Sequence, residues 1–261
     1  MSESQTFPLP AAAAIFVGGA PFLALALRRA SELLPARPAP EYRWKKSELL
    51  AVCLTPFAVF ALLAALLPQQ GVVASLLWNE LVFGVTGGLA IALAVRRPAG
   101  LASLGLASAA PPRALLAMPI VYVPWFVCVA VGLGSAWVHL CRARQWEEQQ
   151  AVMQMILGLR GGELVLAAFV AMLVGPFLEE LLFRGFLQSA LAPALGQRGA
   201  LVTSSLLFAA MHGLPGLPVL FSLSLLLGWL QMRTRSLLVP WSAHAFHNGI
   251  QLLLALTFVH G

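Results

Sequence analysis

The sequence predicts an all-α, polytopic integral membrane protein of about eight transmembrane helices. Three observations lead there. Of the 261 residues, 60% are hydrophobic and only 10% charged, against about a quarter charged in an ordinary soluble domain. The apolar residues fall in long runs, and a helix needs about 20 of them to cross a bilayer. These runs lack the polar/apolar alternation of barrel strands, which leaves helices as the spanning element. The net charge of +6 does not point to nucleic acid, because the basic residues cluster at the ends of apolar runs.

Eight runs qualify: 8–27, 48–67, 72–95, 114–136, 162–190, 199–213, 217–232 and 237–259. The sixth and seventh are short, and merging or dropping one gives seven instead. The first has no basic region ahead of it, unlike a cleavable signal peptide. Arg28, Arg29, Arg37, Arg43, Lys45 and Lys46 separate it from the second. The third carries Glu80, in Trp78-Asn79-Glu80, near one end of its run. That acid is either wetted there or has a task. Arg96, Arg97 and Arg113 follow. The stretch 137–161, with Trp137, Arg142, Arg144, Trp146, Glu147, Glu148, Met153 and Ile156, is amphipathic and predicted to lie in the interface as a short helix. Arg198 lies between runs five and six. Gly213-Leu214-Pro215-Gly216-Leu217-Pro218 is a tight turn, and Arg233 and Arg235 precede the last run.

Twelve of the sixteen basic residues therefore fall on one side. Only Arg142, Arg144 and Arg160 fall on the other, and Arg184 lies within a run. The positive-inside rule places the twelve in the cytoplasm and both termini outside, in a plasma or bacterial inner membrane. Residues 1–160 form one part, the first four runs plus the interfacial segment; residues 161–261 form the other. Cys53, Cys128 and Cys141 show no metal-ligand spacing, and Cys53 and Cys128 read as small apolar residues.

The second part holds the polar residues. Pro176-Phe177-Leu178-Glu179-Glu180-Leu181-Leu182-Phe183-Arg184-Gly185 sits between uncharged stretches. Ionisable groups at bilayer depth cost a few kcal/mol on insertion scales, so they usually face the bundle interior and serve a function. Glu180 and Arg184, four apart, share a helix face and can pair. Glu179 lies about 100° round the helix without such a partner. His212 follows Phe208 by four residues, and Asn248 follows His244 by four. Counted from the cytoplasmic helix ends at about 1.5 Å per residue, these groups fall at similar depths of roughly 10–19 Å, which predicts one shared polar cavity. His247, about 60° from His244 round the helix, either shares it or faces a neighbour.

Such a set can perform hydrolysis. A carboxylate beside an imidazole holds and deprotonates a water; a second imidazole and an amide donate to an oxyanion. Alternatively Glu179, His212 and His244 could ligate zinc with an open position for water, although no H-E-x-x-H spacing favours a metal. The absence of G-x-S-x-G and of any Asp disfavours serine and aspartyl intramembrane proteases. A transporter with a Glu/His ion path and a non-catalytic scaffold or immunity protein are the rival readings. No internal repeat supports the transporter.

At these residues the sequence resembles the CPBP family, the CAAX-protease and bacteriocin-processing intramembrane endopeptidases. The family pattern is E-E-x-x-x-R, F-x-x-x-H and H-x-x-x-N/D in successive membrane helices. Here it stands as Glu179-Glu180…Arg184, Phe208…His212 and His244…Asn248, in order, over roughly residues 160–256. The resemblance implies that Glu179 and His212 activate water, that His244 and Asn248 stabilise the oxyanion, and that Glu180, Arg184 and Phe208 support them. It implies a membrane-associated protein or peptide substrate met in the lipid bilayer. It leaves open a zinc enzyme or a metal-free one, with no cofactor favoured.

Overall fold

The computed structural model describes residues 7–35, 37, 44–66, 71–147 and 151–260; Arg43 and Glu148 lie outside them. Its helices are α1 (Leu9–Leu33), α2 (Lys46–Leu66), α3 (Val72–Val95), α4 (Pro112–Ala143), α5 (Ala151–Leu157), α6 (Gly161–Met211), α7 (Leu217–Thr234) and α8 (Leu238–His260). No strand occurs among the described residues. Pro10, Pro112 and Pro218 sit in the first turns of α1, α4 and α7, where the missing N–H leaves no intrahelical bond unmade.

Six helices among the described residues, α1 to α4, α6 and α7, are long and apolar enough to cross a membrane. The expected count of eight is not reached on that measure, for two reasons. The fifth and sixth runs both lie in α6 and count there as one, although Gly196, between the two runs, breaks the helix with a φ of 71° that glycine adopts at little steric cost. α8 is a helix where one was expected, but Ser242, His244, His247, Asn248 and Gln251 lower its hydropathy. The interfacial helix is also shorter than predicted. α4 continues through Trp137 to Ala143, with Arg142 in its last turn where a cation suits the helix dipole, and only Ala151–Leu157 forms a separate short helix.

The bundle has two distinct ends. At one, Arg233 donates to the Leu34 carbonyl, Arg235 to that of Arg37, and the Leu237 N–H to that of Gly105. Arg97 pairs with Glu48 and lies over Trp44, whose indole N–H donates to Ser189. Segments scattered through the sequence, and carrying most of its basic residues, thus meet at one end. At the other, His139 contacts the Phe7 carbonyl and Trp137 donates to that of Leu214. Leu76, Ile156, Ala167 and Leu252 form a small apolar cluster of their own. Between the ends, Leu181, Phe186, Phe208, Leu223, Leu227 and Leu230 are fully buried where α6 meets α7. The polar groups lie among them.

Candidate active site

Each polar side chain is placed by a local feature of its helix. Glu179 and Glu180 end a regular stretch, Gly175–Glu180, and the next turns, Leu181–Leu187, widen to π-type hydrogen bonding. Such wide turns occur frequently at functional sites. Across this change Glu180 and Arg184 still pair, with 2.9 Å between Oε1 and the guanidinium, and both are buried. His212 ends α6: its N–H bonds the Ala209 carbonyl, and Gly213 follows with φ 79°, the left-handed residue that commonly stops a helix. The Phe-x-x-x-His spacing sets the ring, because His212 Nδ1 reaches the Phe208 carbonyl four residues back at 2.8 Å.

The structure brings Glu179, Glu180, Arg184, Phe208, His212 and His244 together. Glu179 lies between the two imidazoles: His212 Nε2 is 3.7 Å from Oε1 and His244 Nε2 is 3.7 Å from Oε2. His244 Nδ1 is 2.9 Å from Glu180 Oε1, so the pair expected to be merely structural also orients an imidazole. The Phe208 ring supports the group, with centroids 4.5 Å from His212 and 5.7 Å from His244, and the Arg184 guanidinium 4.5 Å above it. Glu180 is sealed from solvent, whereas Glu179 and His212 keep about a fifth of their side-chain surface exposed. One carboxylate is thus locked and its neighbour is open. A cavity of about 450 Å³ adjoins His212, lined by Trp146, Glu147, Met211, Leu214 and Pro215, at the end away from the basic segments.

Two residues stand apart. The Asn248 amide donates to the Ala171 carbonyl at 2.8 Å, on another wide turn, Val170–Val174, rather than to the Glu/His group. His247 faces α4: its Nδ1 is 3.0 Å from the Tyr122 hydroxyl, with Trp125 and Phe126 around the ring. Two partners had no signal in the sequence. Ser224 of α7 accepts from Arg184 at 2.9 Å, and Tyr122 holds His247. Either is an ordinary polar residue until the helices are assembled.

The ligands zinc would need are Glu179, His212 and His244. Among the described residues no three His, Cys, Asp or Glu are grouped so as to hold a metal ion. Glu179 instead spans the two imidazoles as a polar bridge.

Comparison with known families addresses the same helices. Residues 161–250 match the Rce1-like family, type II CAAX prenyl endopeptidase Rce1-like. The Rce1-like stretch begins with α6 and ends two residues beyond Asn248, so it contains all three motifs and agrees with the resemblance read from them. No curated protein and no solved structure matches the chain.

Proposed function

We propose that the protein is an intramembrane endopeptidase that hydrolyses a peptide bond in a membrane-associated protein or peptide, using a water held by Glu179 and His212. The observation that carries this reading is the open carboxylate of Glu179 with an imidazole nitrogen 3.7 Å from each oxygen. The Phe208 carbonyl can only accept, so His212 Nδ1 carries the proton and the Nε2 of the neutral ring is an acceptor. Glu179 and His212 then present two acceptors, too far apart to bond each other. A water about 2.8 Å from both would subtend about 80° between them and offer each a proton. Loss of one proton to this pair leaves hydroxide to attack the peptide carbonyl carbon. The proton later passes to the leaving nitrogen as the C–N bond breaks, giving a carboxylate and an amine.

His244 would stabilise the oxyanion. With Nδ1–H directed at Glu180, its Nε2 donates only as the imidazolium, whose charge Glu180 offsets as the triad carboxylate does in serine proteases. Asn248 would join as second donor by exchanging its bond to Ala171. Glu179→Gln keeps the shape of the group and removes the base. Its folded form in detergent should lose about 10²–10⁴-fold or more of its peptide hydrolysis, measured on peptides the wild type cleaves. A fully active variant would sink the reading and return the transporter or scaffold alternatives.

Hydrolysis by side chains alone should survive chelators, and the purified protein should lack stoichiometric metal. Loss on chelation with recovery on adding zinc would instead assign the water's activation to a metal. The same reading places the basic end in the cytoplasm, with both termini extracytoplasmic. In a cysteine-free background, a cysteine at position 70 should label from outside and one at position 40 should not; the reverse would invert the topology.

A further inference from the structure

Glu80 is the only ionisable side chain within α3, and the proposed reaction does not use it. It lies eight residues after Val72, roughly 12 Å along the helix. Intramembrane acids are expensive and usually pair within the protein or mark a substrate path. Glu179 has its imidazoles and Glu180 its arginine, but none of the ion pairs among the described residues includes Glu80.

What Glu80 meets is the helix of the candidate site. A Cβ added at Gly175 would lie 3.0 Å from Glu80 Oε1, so the missing side chain at 175 makes the seat for this carboxylate. Gly175 is four residues before Glu179 in a regular stretch of helix, which puts both on one face, about 6 Å apart along the axis. Both side chains are partly exposed. Glu80 therefore sits about one helical turn from the catalytic carboxylate.

We infer that Glu80 is a specificity-determining residue that binds a cationic side chain, lysine or arginine, of the substrate. The inference rests on the hydrolytic reading above and deepens it. An extended peptide advances about 3.3 Å per residue. One helical turn between the carboxylates therefore places the cationic residue one or two positions from the scissile bond. The substrate supplies the positive partner that Glu80 lacks among the described residues.

The test uses membrane-anchored fluorogenic peptides that differ only in carrying lysine, its uncharged isostere norleucine, or glutamate at each position flanking the cleaved bond. Wild type should favour lysine over norleucine by about 10- to 100-fold in kcat/KM, the range for losing a hydrogen bond to a charged group, and the effect should fall in KM. Glu80→Gln should abolish the preference while keeping norleucine-peptide hydrolysis, and Glu80→Lys should shift it towards glutamate. A lysine preference that survives Glu80→Gln, or a wild type without one, overturns the inference. So does an equal loss of kcat on every peptide, which marks a structural role. Binding of the same peptides to Glu179→Gln protein, with and without Glu80→Gln, needs no turnover. There the lysine peptide should bind more tightly only where Glu80 is present, and equal binding overturns the inference. Cleavage that persists in Glu179→Gln would instead defeat the hydrolytic reading itself, so the two failures are distinguishable.

Discussion

α2 and α7 invert what a soluble protein would teach. α2 is the most apolar of the six candidate spans and the least buried, covering only Val52 and Leu63. α7 is the least apolar of them and the most buried; Ser224, Gln231 and Thr234 lie among its covered residues. In water an apolar helix is driven inward. In lipid, whose chains are as apolar as leucine, that drive vanishes, and close packing and interhelical hydrogen bonds decide which helix sits at the centre. Polarity marks the interior of this molecule, and the candidate site is where polarity is most concentrated. The variants below test that contrast, from the polar centre outward.

The largest effect should come from the two histidines of α8. His244 bridges Glu179 and Glu180, whereas His247, three residues on, is held by Tyr122. His244→Ala should lower kcat/KM by about 10²–10³-fold, the cost of removing one oxyanion donor. His247→Ala should stay within about tenfold per folded molecule, although leaving the Tyr122 hydroxyl unpaired costs about 1–3 kcal/mol of stability. Initial rates normalised to folded protein compare the two. The opposite ranking would mean that the H-x-x-x-N motif had been assigned to the wrong imidazole.

Arg184 comes next, and its effect should fall on folding. It is buried between Glu180, Ser224 and the Phe208 ring. Arg184→Ala leaves a buried carboxylate without its cation, at about 3–5 kcal/mol, so folded yield and activity should drop together, read by size-exclusion recovery and thermal unfolding. Wild-type stability with no activity would place Arg184 in the chemical step and break the distinction between the locked and the open carboxylate.

How much of this the sequence could carry follows from what each feature depends on. Helices, and the gathering of basic segments at one end, rest on local composition and on where Lys and Arg fall, and both were legible; Arg233 on Leu34 and Arg97 on Glu48 meet at that end. The Glu180–Arg184 pair and the Phe208–His212 bond are four-residue spacings, visible in any helix. The Glu180–His244 contact joins residues 64 apart. It depends on how α6 and α8 pack, which no spacing encodes. The same is true of Ser224 under Arg184, Ala171 beneath Asn248, and Glu80 on Gly175. The number of spans was the weakest reading, because hydropathy does not register the purpose of the polar residues that depress α8.

The smallest effect belongs to α2, and it probes the contrast most directly. Phe57 is 73% exposed and, on the lipid-facing reading, touches acyl chains in the folded protein and the inserted but unassembled helix alike. Truncating it therefore removes little that distinguishes those states. Leu227 of α7 is fully covered, and truncating it opens a void whose lining loses its packing partners. Phe57→Ala should leave thermal stability and hydrolysis within error of wild type, whereas Leu227→Ala should cost about 2–5 kcal/mol. A large loss from Phe57→Ala would show that another chain, rather than lipid, covers this face of α2. The exposed helix would then be half of an interface, and its apparent exposure a property of the isolated protomer.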